Sequence, residues 1–278
     1  MSVAGSLLLG VVEGLTEFLP VSSTGHLKIA ESLLGYSTDD SSVVAYTAVI
    51  QVGAIAAVVV YFVKDIWRII SAWCRGLVRK EARAERDYRF AWWVIAATVP
   101  LVLVGLVAKP LIDGPLASLW VVAASLLVGS GYMWWAERVA RTVPQPRPEE
   151  RTTFTDAMVV GSSQILALLF PGFSRSGASI STGLVRGLDR VAATRISFFL
   201  SIPALVGAGL YELKDALGSS VGALPLVVGT VTSFVVAYAV IAWLLWFVAH
   251  YTFKGFIWYR VVVAVALLVA LSAGWVNA

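Results

Sequence analysis

The sequence predicts an all-α polytopic membrane protein arranged as an inverted-topology repeat, with six spanning helices and two re-entrant helical hairpins. Three observations carry this reading. Hydrophobic residues make up 59% of the 278 and charged residues only 14%, with a mean hydropathy of +0.83, which is too apolar for a water-soluble globular chain. Apolar segments of spanning length recur between short charged connections. Two further apolar stretches are each interrupted by a break rich in Pro, Ser and Gly, and the two resemble one another at an offset of about 150 residues.

The elements follow in order. Residues 3–34 are apolar but broken from Pro20 to Gly25, leaving pieces of about 15 and 9 residues, each too short to span alone. A hairpin entering and leaving on one side is the expected form, since irregular backbone at that depth must be buried by protein or line a wet cavity. Spans are expected at 43–63, 90–108 and 117–135. A second hairpin at 157–186, broken at P-G-F-S-R-S-G (Pro171 to Gly177), opens the second half, and spans at 193–211, 223–248 and 257–276 complete it. The halves are 1–143 and 144–278 of a single membrane domain, joined by the P-Q-P-R-P run from Pro144 to Pro148, an extended linker.

Charge sets the expected orientation. Lys64, Arg68, Arg75, Arg79, Lys80, Arg83, Arg86 and Arg89 crowd the connection 64–89, and Arg138, Arg141, Arg147 and Arg151 a later one, so both are expected in the cytoplasm. Asp39 and Asp40, Lys109 and Asp113, and Glu212 and Asp215 then fall in outer loops, with His250, Lys254 and Arg260 on the inner side. The same sorting explains the net charge of +4 without nucleic acid as a partner. Cys74, the sole cysteine, rules out an internal disulfide or a multi-cysteine metal site and reads as a bystander in the basic connection. No Lys or Arg precedes Lys28, so the expectation is that Met1 belongs to the mature chain and not to a cleaved signal peptide.

In the repeat, Gly10, Glu13 and Pro20 match Gly161, Gln164 and Pro171. After a one-residue slip, Ser22, Thr24 and Gly25 match Ser174, Ser176 and Gly177. Ala54, Tyr61, Lys64 and Asp65 likewise match Ala204, Tyr211, Lys214 and Asp215. With the orientation above, one hairpin enters from outside and the other from the cytoplasm, so the breaks should meet near the midplane.

The chemistry lies at the breaks. Glu13 and Glu17 share one helical face, and the turn Ser22-Ser23-Thr24-Gly25-His26 follows Pro20. Ionisable groups at this depth cost roughly 2.5–3.5 kcal/mol each on insertion scales, so they mark a functional site. Each break is followed by a helix N-terminus offering free backbone N–H groups, which suits an anion. Arg175 adds a guanidinium able to clamp phosphate, and Ser174, Ser176 and Ser179 add hydroxyls. A divalent cation such as magnesium, held by Glu13 and Glu17, would reconcile carboxylates with phosphate; a carboxylate serving as proton acceptor would do so too. Ser23 is the candidate nucleophile, with Glu17 or His26 as base; His26 itself or a water remains an alternative. No G-x-x-x-x-G-K-[ST] loop or cysteine-phosphatase loop is present, and Ser181 stands where the S-R-x-x-x-x-x-H lipid phosphatases need histidine.

The motifs E-G-L-T-E-F-L-P-V-S-S-T-G-H (Glu13 to His26) and P-G-F-S-R-S-G-A-S (Pro171 to Ser179) closely resemble those of the undecaprenyl-diphosphate phosphatase family, the bacitracin-resistance membrane phosphatases of bacteria, and the resemblance extends over essentially the whole chain. It implies hydrolysis of the C55 isoprenoid diphosphate to the monophosphate, which recycles the lipid carrier of peptidoglycan synthesis. It also implies an inverted repeat, an active site open to the outer face of the plasma membrane, and dependence on magnesium or calcium. The implied roles place Glu13 and Glu17 as the acidic pair, Ser23 and His26 in the first turn, and Ser174, Arg175 and Ser176 in the second. Two departures stand out: Ser179 replaces the usual Thr, and one extra residue separates Gln164 from Pro171. Gln164, Ser22, Thr24 and Ser179 complete the expected substrate-binding set.

Two functions fit the pattern: a phosphatase acting on a polyprenyl diphosphate among membrane lipids, or a transporter or flippase of an anionic or lipid-phosphate substrate, since broken helices in inverted repeats also build transporters. The set of nucleophile, base and arginine favours the enzyme. Monomer and homodimer both stay open.

Overall fold

The computed structural model describes residues 1–37, 40–112, 116, 118–216 and 222–276, and among them the chain is helical, with a single isolated β-bridge. The helices are α1 (Val3–Thr16), α2 (Ser23–Leu33), α3 (Ser41–Tyr61), α4 (Val63–Val78), α5 (Arg86–Ile112), α6 (Leu119–Ala140), α7 (Phe154–Leu169), α8 (Arg175–Val185), α9 (Arg190–Ala216), α10 (Ala223–His250) and α11 (Lys254–Ser272). Among the described residues six of these are long and apolar enough to cross a membrane: α3, α5, α6, α9, α10 and α11. At 14 and 16 residues, α1 and α7 fall short of a span, as do α2 and α8 with 11 each. These four form two broken pairs, α1–α2 and α7–α8, as the Pro20 and Pro171 breaks predict.

Each pair packs against spans of its own half and of the other. Helix α1 lies on α10 and α3, α7 on α5 and α9, α8 on α6 and α9, and α11 on α6. The largest apolar cluster crosses between the halves, joining Phe18, Phe62 and Phe90 to Phe198, Phe199 and Leu244. Small residues permit this approach. A β-carbon on Gly10 would stand 2.5 Å from the Gly229 carbonyl, and one on Gly161 2.7 Å from the Ala97 side chain, so each hairpin approaches a span of the other half too closely for a side chain at these positions.

Paired charges collect around the ends of α4, α5, α7 and α9. Arg195 binds Asp65 at 3.1 Å and Glu149 at 2.5 Å, while Arg68 reaches Asp65 and Asp87. The proline-rich linker is extended but pinned: Arg147 bridges to Leu188, and its guanidinium meets Asp156 at 2.8 Å. Arg186 approaches the other Asp156 oxygen at 2.8 Å, and Thr153 and Asp156 close a capping box at the start of α7.

Several expectations need correction. The connection 64–89 is not a loop: residues 63–78 form α4, whose apolar residues recur at helical spacing, and Cys74 sits on that helix. Lys109 belongs to α5 and Glu212 and Asp215 to the last turns of α9, because both helices run on beyond the apolar core of the span. Arg260 is not at the inner surface but fully buried. Asp39 and Asp113 lie outside the described residues, and Asp40 caps α3 by accepting from the Ser42 N–H at 2.7 Å.

Candidate active site

Both breaks end in the same local structure. Ser22 and Ser174 have φ of 80° and 74°, the only positive values at non-glycine residues among those described. Each caps the helix after it: Ser22 Oγ accepts from the Gly25 N–H at 3.4 Å, and Ser174 Oγ from the Gly177 N–H at 3.1 Å. Holding serine in the left-handed region costs of order 1–3 kcal/mol and is typical of active-site turns. The caps set Ser23 and Thr24 in the first turn of α2, and Arg175 and Ser176 in the first turn of α8.

The two turns touch. Ser176 Oγ donates to the Leu19 carbonyl at 2.9 Å, and the Arg175 guanidinium pairs with Glu17 Oε1. Ser23 Oγ donates to the other carboxylate oxygen, Glu17 Oε2, at 2.6 Å. Residues far apart in sequence thus form one line, Arg175 to Glu17 to Ser23. Glu17 is buried while the Arg175 side chain keeps 26% of its surface exposed, so the pair is shielded yet open on the arginine side. A charge-assisted bond to an ionised carboxylate is the geometry in which a hydroxyl can lose its proton.

His26 is turned away from this line. Its Nδ1 lies 2.7 Å from the Ser22 carbonyl, so Nδ1 carries the proton, and Nε2 accepts from the Tyr259 hydroxyl at 2.8 Å. The two rings stack 5.5 Å apart. Between His26 and Glu17, geometry makes Glu17 the partner of Ser23. Ser22 and Ser174 act as caps, and Thr24 is exposed at the mouth of the turn. Ser179 is buried and donates to the Arg175 carbonyl at 2.7 Å, so its hydroxyl steadies the arginine from behind.

Gln164 reaches the same support at one remove. Ser201 Oγ lies 2.9 Å from Gln164 Oε1 and 2.7 Å from the Ser197 carbonyl, and the Ser197 hydroxyl lies 2.5 Å from Ser179 Oγ. The Gln164 amide nitrogen is buried with no hydrogen-bond partner in the structure. Glu13, one turn before Glu17, is 1% exposed. Among the described residues no group of three or more His, Cys, Asp or Glu gathers to hold a metal. The available donors are two carboxylates and nearby hydroxyls, all hard oxygen, which suits a magnesium ion that keeps water and phosphate as its remaining ligands.

Arg260 is the residue that sequence reasoning misplaced. From α11 it donates to Pro20 O at 3.2 Å in the first break, and to Gly172 O and Phe173 O, both at 3.1 Å, in the second. Ser130 Oγ at 3.1 Å and Leu126 O at 3.2 Å complete its acceptors. A charge inside an apolar helix is itself the signal that could have found it. Tyr259, Ser197 and Ser201 carried no such signal. A cavity of about 730 Å³ elsewhere, lined by Asp65, Arg68, Arg86, Glu149 and Arg195 among others, is occupied by charges that already pair with one another.

Comparison with known proteins covers the stretch of chain that holds these residues. A family model described as bacitracin resistance protein BacA matches residues 6–266, which contain both breaks. The chain is 68% identical over 274 residues to undecaprenyl-diphosphatase 1 of Streptomyces coelicolor, covering 99% of this chain and 98% of that protein. It is 68% identical over 278 residues to undecaprenyl-diphosphatase 1 of Frankia alni, covering 100% and 99%, and 52% identical over 279 residues to undecaprenyl-diphosphatase of Acidothermus cellulolyticus, covering 100% of both. Relatedness that runs from end to end at this level leaves no part of the site outside the match, and the chain belongs to the bacitracin resistance protein BacA family.

Proposed function

We propose that this multi-pass membrane protein hydrolyses undecaprenyl diphosphate to undecaprenyl phosphate and inorganic phosphate, recycling the lipid carrier for peptidoglycan synthesis and thereby conferring bacitracin resistance. One observation supports it above the others: Ser23 Oγ donates at 2.6 Å to a buried carboxylate whose second oxygen is held by Arg175. A transporter would use the arginine and the two helix N-termini but has no need of a hydroxyl on a base.

In the proposed mechanism the diphosphate enters between the two turns and engages Arg175, whose planar fork can hold a phosphate oxygen while still facing Glu17. The N–H groups at the starts of α2 and α8 take further oxygens. Ser23 Oγ attacks the terminal phosphorus, Glu17 receives its proton, and the bridging P–O bond breaks to release the lipid monophosphate. Water then cleaves the phosphoserine, and Glu17 returns the proton to Ser23. His26, fixed by Ser22 and Tyr259, walls the first turn and orients it. Glu13 and Glu17, with phosphate oxygens, would hold a magnesium or calcium ion, which when bound neutralises phosphate charge.

We further propose that the halves are inverted copies, supported by the matching Ser22 and Ser174 turns. The basic connections would face the cytoplasm of a bacterial plasma membrane, with the site open to the outer side. Trapping of phosphate on Ser23 during turnover, read by mass spectrometry, tests the covalent step; turnover with all label passing directly to water would assign the attack to water.

A further inference from the structure

Among the described residues helix α4 has no counterpart in the second half, where α9 and α10 are successive helices. It divides lengthwise into three faces. Ile66, Ile69, Ala72, Trp73 and Gly76 turn toward the protein: Gly76 sits against the Tyr88 ring, and Trp73 meets Trp92 edge-on at 5.8 Å. At ~100° per residue, Val63, Trp67, Ile70, Cys74, Leu77 and Val78 occupy one arc of about 100°. All six are exposed, Trp67 at 71% and Val78 at 85%. Lys64, Arg68 and Arg75 occupy the adjoining arc of about 40°, and Arg79 and Lys80 follow directly after the last helical residue, Val78.

A helix of 16 residues carrying these charges cannot cross a bilayer, and a continuous apolar stripe beside a basic one is unstable in water. Both faces are satisfied at once where acyl chains give way to headgroups. Arg68 and Arg75 already pair with acidic residues, but Lys64, Arg79 and Lys80 form no ion pair among the described residues, so positive charge remains for a partner. We propose that α4 is an interfacial docking helix that seats this end of the protein on an anionic lipid surface, with the apolar stripe sunk to the acyl boundary and Lys64, Arg79 and Lys80 on lipid phosphates. The inference is independent of the reaction at the two turns.

Cys74 lies within the stripe and is the only cysteine, so the intact protein carries its own reporter. It is labelled with bimane and reconstituted into phosphatidylcholine vesicles containing a minority of phosphatidylglycerol. Quenching by acyl-chain nitroxide lipids should then be strong and quenching by aqueous iodide weak. The reference is a label at Gln145→Cys in a Cys74→Ser background, a position in the exposed linker. Nitroxide carried on trace phosphatidylglycerol should quench about fivefold more than the same amount on phosphatidylcholine, falling to about unity in molar salt. Iodide quenching equal to the Gln145→Cys reference would overturn the proposal, and so would an equal effect of the two nitroxide lipids at low salt. Ready Cys74-to-Cys74 disulfide formation with loss of lipid quenching would assign the stripe to a second copy of the chain and overturn it as well.

Discussion

Replacing Arg260 with leucine separates the two breaks without touching any reacting group. Arg260 is 0% exposed and has no carboxylate among its partners; main-chain carbonyls of both turns and the Ser130 hydroxyl satisfy it. Leucine leaves Pro20 O, Gly172 O and Phe173 O without this donor, and each orphaned buried acceptor costs about 1–3 kcal/mol. Removing a buried cation returns several kcal/mol of desolvation, so the net change in stability is expected to be small, on the order of 2 kcal/mol. The turns, however, lose their common anchor. A shift of about 1 Å between Ser23 on one turn and Arg175 on the other costs about a hundredfold in rate. Arg260→Leu should therefore lower kcat about a hundredfold in purified protein while thermal unfolding moves by only a few degrees. Arg260→Lys keeps the charge but not the fork and should fall between. Because Ser176 Oγ to Leu19 O is a second link between the turns, Arg260→Leu with Ser176→Ala should be non-additive. Wild-type kcat in Arg260→Leu would refute the reasoning.

Other substitutions read individual roles. Glu17→Gln removes the acceptor for the Ser23 proton and should lower kcat by about 10²–10⁴ at saturating magnesium, measured as phosphate release. Arg175→Ala should cost about 10²–10³ with the fold retained, and substantial turnover would remove it from phosphate binding. Tyr259→Phe deletes the donor to His26 Nε2 and should lower kcat by about tenfold or less; no change in rate or pH profile would show that the bond orients nothing of consequence. Burial alone would raise the Asp156 carboxyl, but bonds from Arg147, Thr153 and Arg186 outweigh it and hold it well below its ordinary 3.8. A depressed carboxylate stabilises above the unfolded value and loses that contribution as pH falls through the folded one. Asp156→Asn should thus destabilise at neutral pH, and its deficit in thermal unfolding should shrink below about pH 4.

Much of this architecture is legible in the chain because a membrane demands it. Pro20 and Pro171 interrupt apolar runs where no interruption is tolerated without cause, and the structure turns at both places. The polar residues beside them could be named for the same reason. What escaped was which distant groups these residues meet. The acceptors of Arg260 are main-chain carbonyls as far as 240 positions away, and the stack of Tyr259 on His26 spans 233, so neither is written in any short motif. Ser197 and Ser201 sit one turn apart in an apolar helix, a placement that helix-to-carbonyl bonding explains equally well. Helix α4 was obscured differently: its basic residues stand out as a charged connection until the apolar ones are read at a spacing of three and four.

The most direct test of the whole account is phosphate release from a C55 isoprenoid diphosphate by detergent-purified protein, with and without a chelator, beside Ser23→Ala. Metal-dependent release that is lost in the variant is the expected result. No release from the wild-type protein under either condition would contradict the phosphatase and favour transport; release undiminished in Ser23→Ala would contradict the serine as nucleophile.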